Sequence, residues 1–226
     1  MGRIPCNRKR KSVAKGFKNF VKSFAKKEKQ ELVYRKTPVV WGIPCDELGY
    51  SKFWIQFIGT AGLMPFDRFS TSEGTYLQKA RNDIHNKFLK SQYQYLMMVD
   101  SDILIPPKML ETLMAHNLPV VGGWYKDKKA VDHHPVVYDF KEDAEEFAIF
   151  NHREQKGIGL EKIDAIGVGC LLMNRDTAEK LGETPYGHKI AGGGEDFIMC
   201  RKLKELDIPL YVDWSVFCAH LGVGFY

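Results

Sequence analysis

The chain has 226 residues, 44% hydrophobic and 12% aromatic, which is enough for one full domain with its own core, short for two, and excludes a disordered polymer. No apolar run approaches the roughly 20 residues that cross a bilayer, and the basic N-terminus lacks the apolar stretch of a secretory signal, so a cytoplasmic protein is expected, with peripheral membrane attachment as the further option. The formal charge of +5 is uneven: residues 1–36 hold 13 Lys and Arg against Glu28 and Glu31, a net of +11, which leaves −6 for residues 37–226.

The basic segment 1–36 reads as a separate extension. Val13, Phe17, Phe20, Val21 and Phe24 fall on one face of a helix with lysines around the rest, which suits an anionic membrane surface or a nucleic-acid backbone. The alternative is a terminal helix packed on the parent domain. From Thr37 the pattern alternates strand and helix. Pro38–Cys45 is a short apolar first strand. Ser51–Gly62 predicts a helix capped by Ser51, with Phe53, Trp54, Phe57 and Ile58 inward. Phe66–Ser70 predicts a second strand. Thr75–Ser91 predicts a helix with Leu77, Ala80, Ile84 and Phe88 on one face.

Tyr93–Val99 is continuously apolar, as a strand buried on both faces would be. Pro106-Pro107 opens the next helix, running to about His116, and Pro119–Gly123 is another strand. Val136–Phe140 reads as a strand, and Lys141–Lys162 has no assignment. Ile163–Met173 is a strand interrupted by glycines, followed by a short helix over Thr177–Leu181. Glu195–Leu206 is a helix behind Gly192-Gly193-Gly194, and Leu210–Cys218 is the last strand. This alternation predicts an α/β domain with a mostly parallel sheet flanked by helices. The five cysteines (Cys6, Cys45, Cys170, Cys200, Cys218) are odd in number and contain no CxxC pair, so buried free thiols are expected rather than a disulfide or zinc framework.

Several residues can carry chemistry. Asp100-Ser101-Asp102 directly follows the most apolar strand, and ligands of open α/β sheets bind at the carboxyl ends of strands. Two carboxylates at that spacing suit Mg²⁺ or Mn²⁺; the bland reading is a turn-forming aspartate. Glu195-Asp196 opens a helix, where acids are favoured by the dipole but where a carboxylate can also serve as a general base. His220 follows the last strand and is either structural or a ligand. Arg81, on the helix before the Asp100 strand, can reach a phosphate or lie solvated on the surface. His133-His134 are adjacent, and neighbouring histidines rarely point to one centre.

Six stretches, ARNDI (80–84), YLMMVDSDILIPPKML (95–110), PVVGGWY (119–125), IGVGCLLMNRD (166–176), GGGEDFIMCRKL (192–203) and VDWSVFCAHLG (212–222), resemble the GT-A glycosyltransferases. The resemblance is nearest to short family-2-like proteins of bacteria, phages and large viruses. It covers about residues 37–222 and implies a Rossmann-like GT-A domain over 37–226 that uses a nucleotide-sugar donor, a UDP-sugar in this reading. It further implies that Asp100-Ser101-Asp102 is a DxD motif. Asp102 would bind the metal, Asp100 the ribose or a metal-bound water, and His220 would be a further ligand.

By the same resemblance Arg81 would contact the nucleotide and Ile43-Pro44-Cys45 would border the base. Trp124-Tyr125 and Gly167-Val168-Gly169 would line the sugar pocket, and Glu195-Asp196 would flank the acceptor, with Asp196 the base of an inverting transfer. The acceptor is open among a glycan, a lipid-linked glycan, a protein and modified nucleic acid. The sequence departs from the family in having no QxxRW-like motif, which argues against a processive synthase. Two other classes compete: a nucleotidyltransferase that makes nucleotide-sugars, and a non-catalytic nucleotide- or polyanion-binding adaptor. The first would carry a glycine-rich basic loop after the first strand, where this chain reads GIPCDELGYSKF.

Overall fold

The computed structural model describes residues 37–45, 50–72, 76–128, 133–140, 150–187 and 194–222. The expected basic helix of segment 1–36 lies outside these residues, as do Gly192 and Gly193. The central sheet has seven strands in the order β2-β1-β3-β10-β5-β11-β8. They are β1 (Val40–Pro44), β2 (Arg68–Ser72), β3 (Tyr95–Val99), β5 (Val120–Trp124), β8 (Leu160–Ile163), β10 (Cys170–Asn174) and β11 (Leu210–Phe217).

Strand β1 runs parallel to β2 and β3, and β11 parallel to β5. Strand β10 is antiparallel to both β3 and β5, and β8 to β11. Five of the seven strands therefore share one direction, and the sheet is mostly parallel, as the alternation of elements predicts. Two smaller sheets complete the domain. One joins β4 (Ile103–Leu104) to β12 (Ala219–His220), and the other has the order β7-β6-β9, from Phe150–His152, Val137–Phe140 and Ala165–Ile166.

Helices cover both faces. On one side, α2 (Leu77–Leu89), α4 (Arg175–Leu181) and α5 (Glu195–Glu205) pack Ile84, Phe88, Ala178, Leu181, Met199 and Leu203 against Val40, Leu96 and Met98. On the other, α1 (Ser51–Thr60) and α3 (Met109–Ala115) pack Phe53, Phe57, Leu110 and Leu113 against Trp41, Ile43, Met97 and Val99. Alternate residues of β1 and β3 serve the two cores, which is why these strands read as unbroken apolar runs. Among the described residues, no helix is long and apolar enough to cross a membrane.

Local readings shift in four places. Ser51 is the first helical residue and Tyr50 the N-cap, without a side-chain capping bond. Ile58 faces solvent at 68% exposed, because Phe53 and Phe57 stack at 5.3 Å and Phe57 meets Trp41 edge-on at 5.1 Å, which turns the apolar stripe away from Ile58. Leu77 is likewise exposed, so the buried face of α2 begins at Ala80. Pro106-Pro107 precede α3 rather than opening it: Lys108 adopts a left-handed conformation, φ 62°, and the helix starts at Met109. Cys170, Cys200 and Cys218 are buried free thiols as expected, and burial pushes the Cys200 thiol up to about 12.

Candidate functional site

The carboxyl ends of the co-directional strands converge on one edge of the sheet. Asp100 follows β3, Cys45 follows β1, Tyr125 to Lys128 follow β5, and His220 follows β11. Strand β10 runs the other way, so its start, the Gly167–Gly169 turn, arrives at the same edge. A cavity of about 340 Å³ opens there, lined by Pro44, Cys45, Tyr50, Leu77, Ala80, Asp100, Ser101, Asp102 and Lys128. That volume is within the range of small-ligand sites. Five of the lining residues are ones the sequence points to. Ile43 is fully buried behind them on β1.

The two aspartates of the triplet belong to different clusters. Asp102 meets His220, Nε2 to Oδ2 at 3.4 Å, and the same oxygen accepts from Lys128 Nζ. The β4–β12 pairing makes this meeting possible, since His220 sits opposite Ile103 and the Leu221 amide donates to the Asp102 carbonyl at 2.8 Å. Burial pushes the Asp102 carboxyl upward, but the hydrogen bonds from His220 and Lys128 outweigh it and hold the group below the usual carboxylate range.

His220 Nδ1 lies 2.9 Å from the Lys126 carbonyl. A carbonyl only accepts, so Nδ1 carries a proton, and that bond sets the ring's orientation with Nε2 toward Asp102. Fixing the ring through its second nitrogen is how metal-binding histidines are oriented, and here it leaves Nε2 3.4 Å from Asp102 Oδ2. Asp102 and His220 thus fit as two protein ligands of a divalent ion. Among the described residues no third His, Cys, Asp or Glu joins them, which suits an ion that completes its shell with water and substrate oxygens.

Asp100 turns inward. Both its oxygens accept from Arg81 Nη2, at 2.9 and 2.8 Å. Arg81 Nη1 donates to Glu195 Oε1 at 2.7 Å and to Asp196 Oδ1. Arg81 is 1% exposed, so its guanidinium meets carboxylates rather than the cavity. Burial works against the charged guanidinium, and the fields of Asp100 and Glu195 overcome that, holding its pKa above the ordinary value. Asp196 Oδ2 also accepts from the Val168 amide at 3.2 Å, which fastens the start of α5 to the glycine turn.

The fully buried Tyr125 closes this layer. Its hydroxyl accepts from the Gly169 amide at 3.1 Å. A Cβ on Gly167 would lie 2.1 Å from that hydroxyl, and one on Gly169 would lie 2.9 Å from it. Both glycines are therefore demanded by close approach to Tyr125, and they stand behind the cavity wall rather than in it. Burial and the neighbouring Asp100 push the Tyr125 phenol well above its usual value. Trp124 lies elsewhere, packed on Trp214 and Phe217 with its indole N–H donating to the Trp214 carbonyl at 3.0 Å. Lys128 and Tyr50 join the cavity wall without having stood out in the sequence. A lysine in a polar loop and a tyrosine before a helix carry no local mark of a site.

No family model matches the chain, and no curated protein sequence matches it. Among solved structures it is similar to A197 from STIV, with a TM-score of 0.59 at 18% identity, covering 82% of this chain and 86% of that one. It is also similar to GalNAc-T7, solved with UDP, GalNAc and Mn²⁺, with a TM-score of 0.54 at 13% identity. That match covers 82% of this chain and 44% of GalNAc-T7, so the chain spans less than half the length of that protein. At these identities the likeness is one of fold, and the fold is GT-A-like.

Proposed function

We propose that this chain is a glycosyltransferase that moves a sugar from a nucleotide-sugar, a UDP-sugar in this reading, to an acceptor hydroxyl. The observation that carries the reading is Asp102 held between His220 and Lys128 at the wall of a cavity at the strand ends. An aspartate and a histidine able to share a cation, a lysine paired with that aspartate and a cavity of small-ligand volume occur together there. The fold shared with GalNAc-T7, which was solved with UDP, GalNAc and Mn²⁺, supports the same ligand class.

In this reading Pro44, Cys45 and Tyr50 border the nucleoside, and Lys128 and Ser101 face the diphosphate. Asp102 and His220 hold Mn²⁺ or Mg²⁺, which when bound neutralises charge on the departing nucleoside diphosphate. Asp196 takes the proton of the acceptor hydroxyl. The hydroxyl oxygen forms a bond to the anomeric carbon as the bond to the diphosphate oxygen breaks, and that electron pair leaves with the nucleoside diphosphate, inverting the centre. Arg81 orients Asp196 and Glu195 and ties them to Asp100, which lines the cavity. The basic segment 1–36 is assigned to an anionic membrane or nucleic acid near the acceptor. Deleting residues 1–30 should weaken sedimentation with anionic liposomes or with DNA.

The test is incubation of the full chain with radiolabelled nucleotide-sugars and Mn²⁺. Slow donor hydrolysis is expected, lost in Asp102→Ala. Asp196→Asn should bind donor normally and transfer poorly. Full activity of Asp102→Ala would remove the metal assignment. Pyrophosphate release from a nucleoside triphosphate and a sugar 1-phosphate, with no donor hydrolysis, would replace transfer by nucleotidyl transfer.

A further inference from the structure

A second cavity, of about 470 Å³, shares no lining residue with the first. It lies beside the edge strand β2 and the last turn of α2, toward the amino ends of β1 and β2. Its polar wall is Arg68, Ser70, Thr71, Lys87 and Lys90, with Phe69 alongside, and among the described residues it has no acidic one. Three like charges around one hollow repel each other unless an anion enters.

Two of these cations are unspent. Lys87 Nζ donates to the Thr71 carbonyl at 2.8 Å, but the side chains of Arg68 and Lys90 make no hydrogen bond or ion pair among the described residues. Two described acids near in sequence are engaged elsewhere. Asp83 pairs with Lys79 at 2.6 Å, and Asp67 accepts from the Val39 amide and the Trp41 indole, each at 3.1 Å. The carboxyl end of α2 carries partial negative charge and does not itself favour an anion, so the side chains must supply the attraction.

The second observation is Ser70. It is 7% exposed, and its Oγ is buried without a hydrogen-bond partner. A buried hydroxyl left unpaired is costly, and such orphans in native structures call for an explanation. Ser70 lines this cavity, and a turn of its hydroxyl toward a ligand oxygen there supplies the missing partner. Arg68 offers a planar fork suited to two oxygens of one oxyanion, and Lys87 and Lys90 offer point charges. Phe69, 45% exposed, gives an apolar wall beside them.

We propose that this cavity is a binding site for a phosphate-bearing ligand, held by Arg68, Lys87 and Lys90 with Ser70 Oγ as a buried hydrogen-bond partner. The site is independent of the glycosyl-transfer reading and of the metal pair. The test is residue-resolved NMR on the full chain with glucose 6-phosphate, and with glucose as the uncharged control. The Ser70, Thr71, Lys87 and Lys90 amides should shift with the phosphate compound alone. Arg68→Ala and Lys90→Ala break no internal bond and should fold; each should weaken that binding about tenfold, the worth of one charge-assisted contact. Lys128→Ala should leave it unchanged.

A parallel arm compares phosphatidic acid vesicles with phosphatidylcholine vesicles. Capture by the former that falls in the Arg68 and Lys90 variants supports the site and assigns its phosphate to a lipid headgroup. The proposal is overturned if neither probe engages these residues, or if the shifts or the capture persist undiminished in both variants.

Discussion

Arg81→Met removes the guanidinium and keeps the aliphatic stem, so it isolates the charge that holds Asp100, Glu195 and Asp196 together. The wild-type Arg81 is 1% exposed, and its partners' side chains are 21%, 17% and 20% exposed. Removing one member of a buried ion pair costs about 3–5 kcal/mol. Here water still reaches the three carboxylates, so the lower end applies, about 3 kcal/mol. For a domain of this size each kcal/mol moves the melting temperature by roughly 2–4 °C, giving a loss of about 6–12 °C in thermal unfolding followed by circular dichroism. Arg81→Lys keeps the charge without the fork that spans three carboxylates, and should fall between. A methionine variant melting within about 2 °C of wild type, under one kcal/mol on the same scale, would refute the view that this guanidinium holds the layer together.

Gly167→Ala should destabilise by about 1–3 kcal/mol through overpacking, because its Cβ would meet the buried Tyr125 hydroxyl at 2.1 Å. Gly59→Ala in α1 meets nothing within 4 Å and should stabilise by about 0.5–1 kcal/mol; urea midpoints of the two variants check the contrast. His85 is buried and held down to about 4 from 6.5. An unfolded chain therefore binds the proton first, and the stability His85 contributes is complete above pH 6.5 and lost as pH falls toward 4. The loss between pH 7.5 and 4.5 is about 2–3 kcal/mol, and His85→Gln should remove that part of the urea-midpoint shift. On the proposed metal reading, Lys128→Ala frees the Asp102 oxygen that it shares with His220, and Mn²⁺ should bind more tightly by titration calorimetry. Weaker Mn²⁺ binding would mean that Lys128 supports the ion instead of competing with it.

Much of the sheet is legible in the sequence because a doubly buried strand writes itself as an apolar run. Tyr95–Val99 needs no partner information to be found, and its end marks the aspartates. The buried face of α2 from Ala80 through Ile84 to Phe88 follows from spacing alone. What the sequence hides is set by long-range pairing. The reversal of β10 is invisible because its residues are as apolar as those of the parallel strands beside it. The meeting of Asp102 with His220 depends on two strands of two residues each, too short to show a period. Arg81 reads as a phosphate contact or a solvated residue, since nothing local says that Glu195 and Asp196 return to it across 114 and 115 positions.

The divergence of Asp100 and Asp102 is what gives the site two sides. Asp100 lines the cavity and yet is grasped from behind by Arg81, so its position is set by the same guanidinium that sets Glu195 and Asp196. Asp102, two residues on, answers instead to His220 and Lys128. A single turn after β3 therefore couples two clusters that share no side chain. The Asp196 carboxylate extends the coupling to the Val168 amide, and the adjoining Gly169 amide donates to the Tyr125 hydroxyl at the end of β5. A shift of α5 would pull on Asp100 and on the glycine turn together, while leaving the Asp102–His220 pair anchored by the backbone pairing of β4 with β12. The Asp102–His220 side is thus fixed by main chain, and the Arg81 carboxylate cluster is held by side-chain charge, the more adjustable of the two.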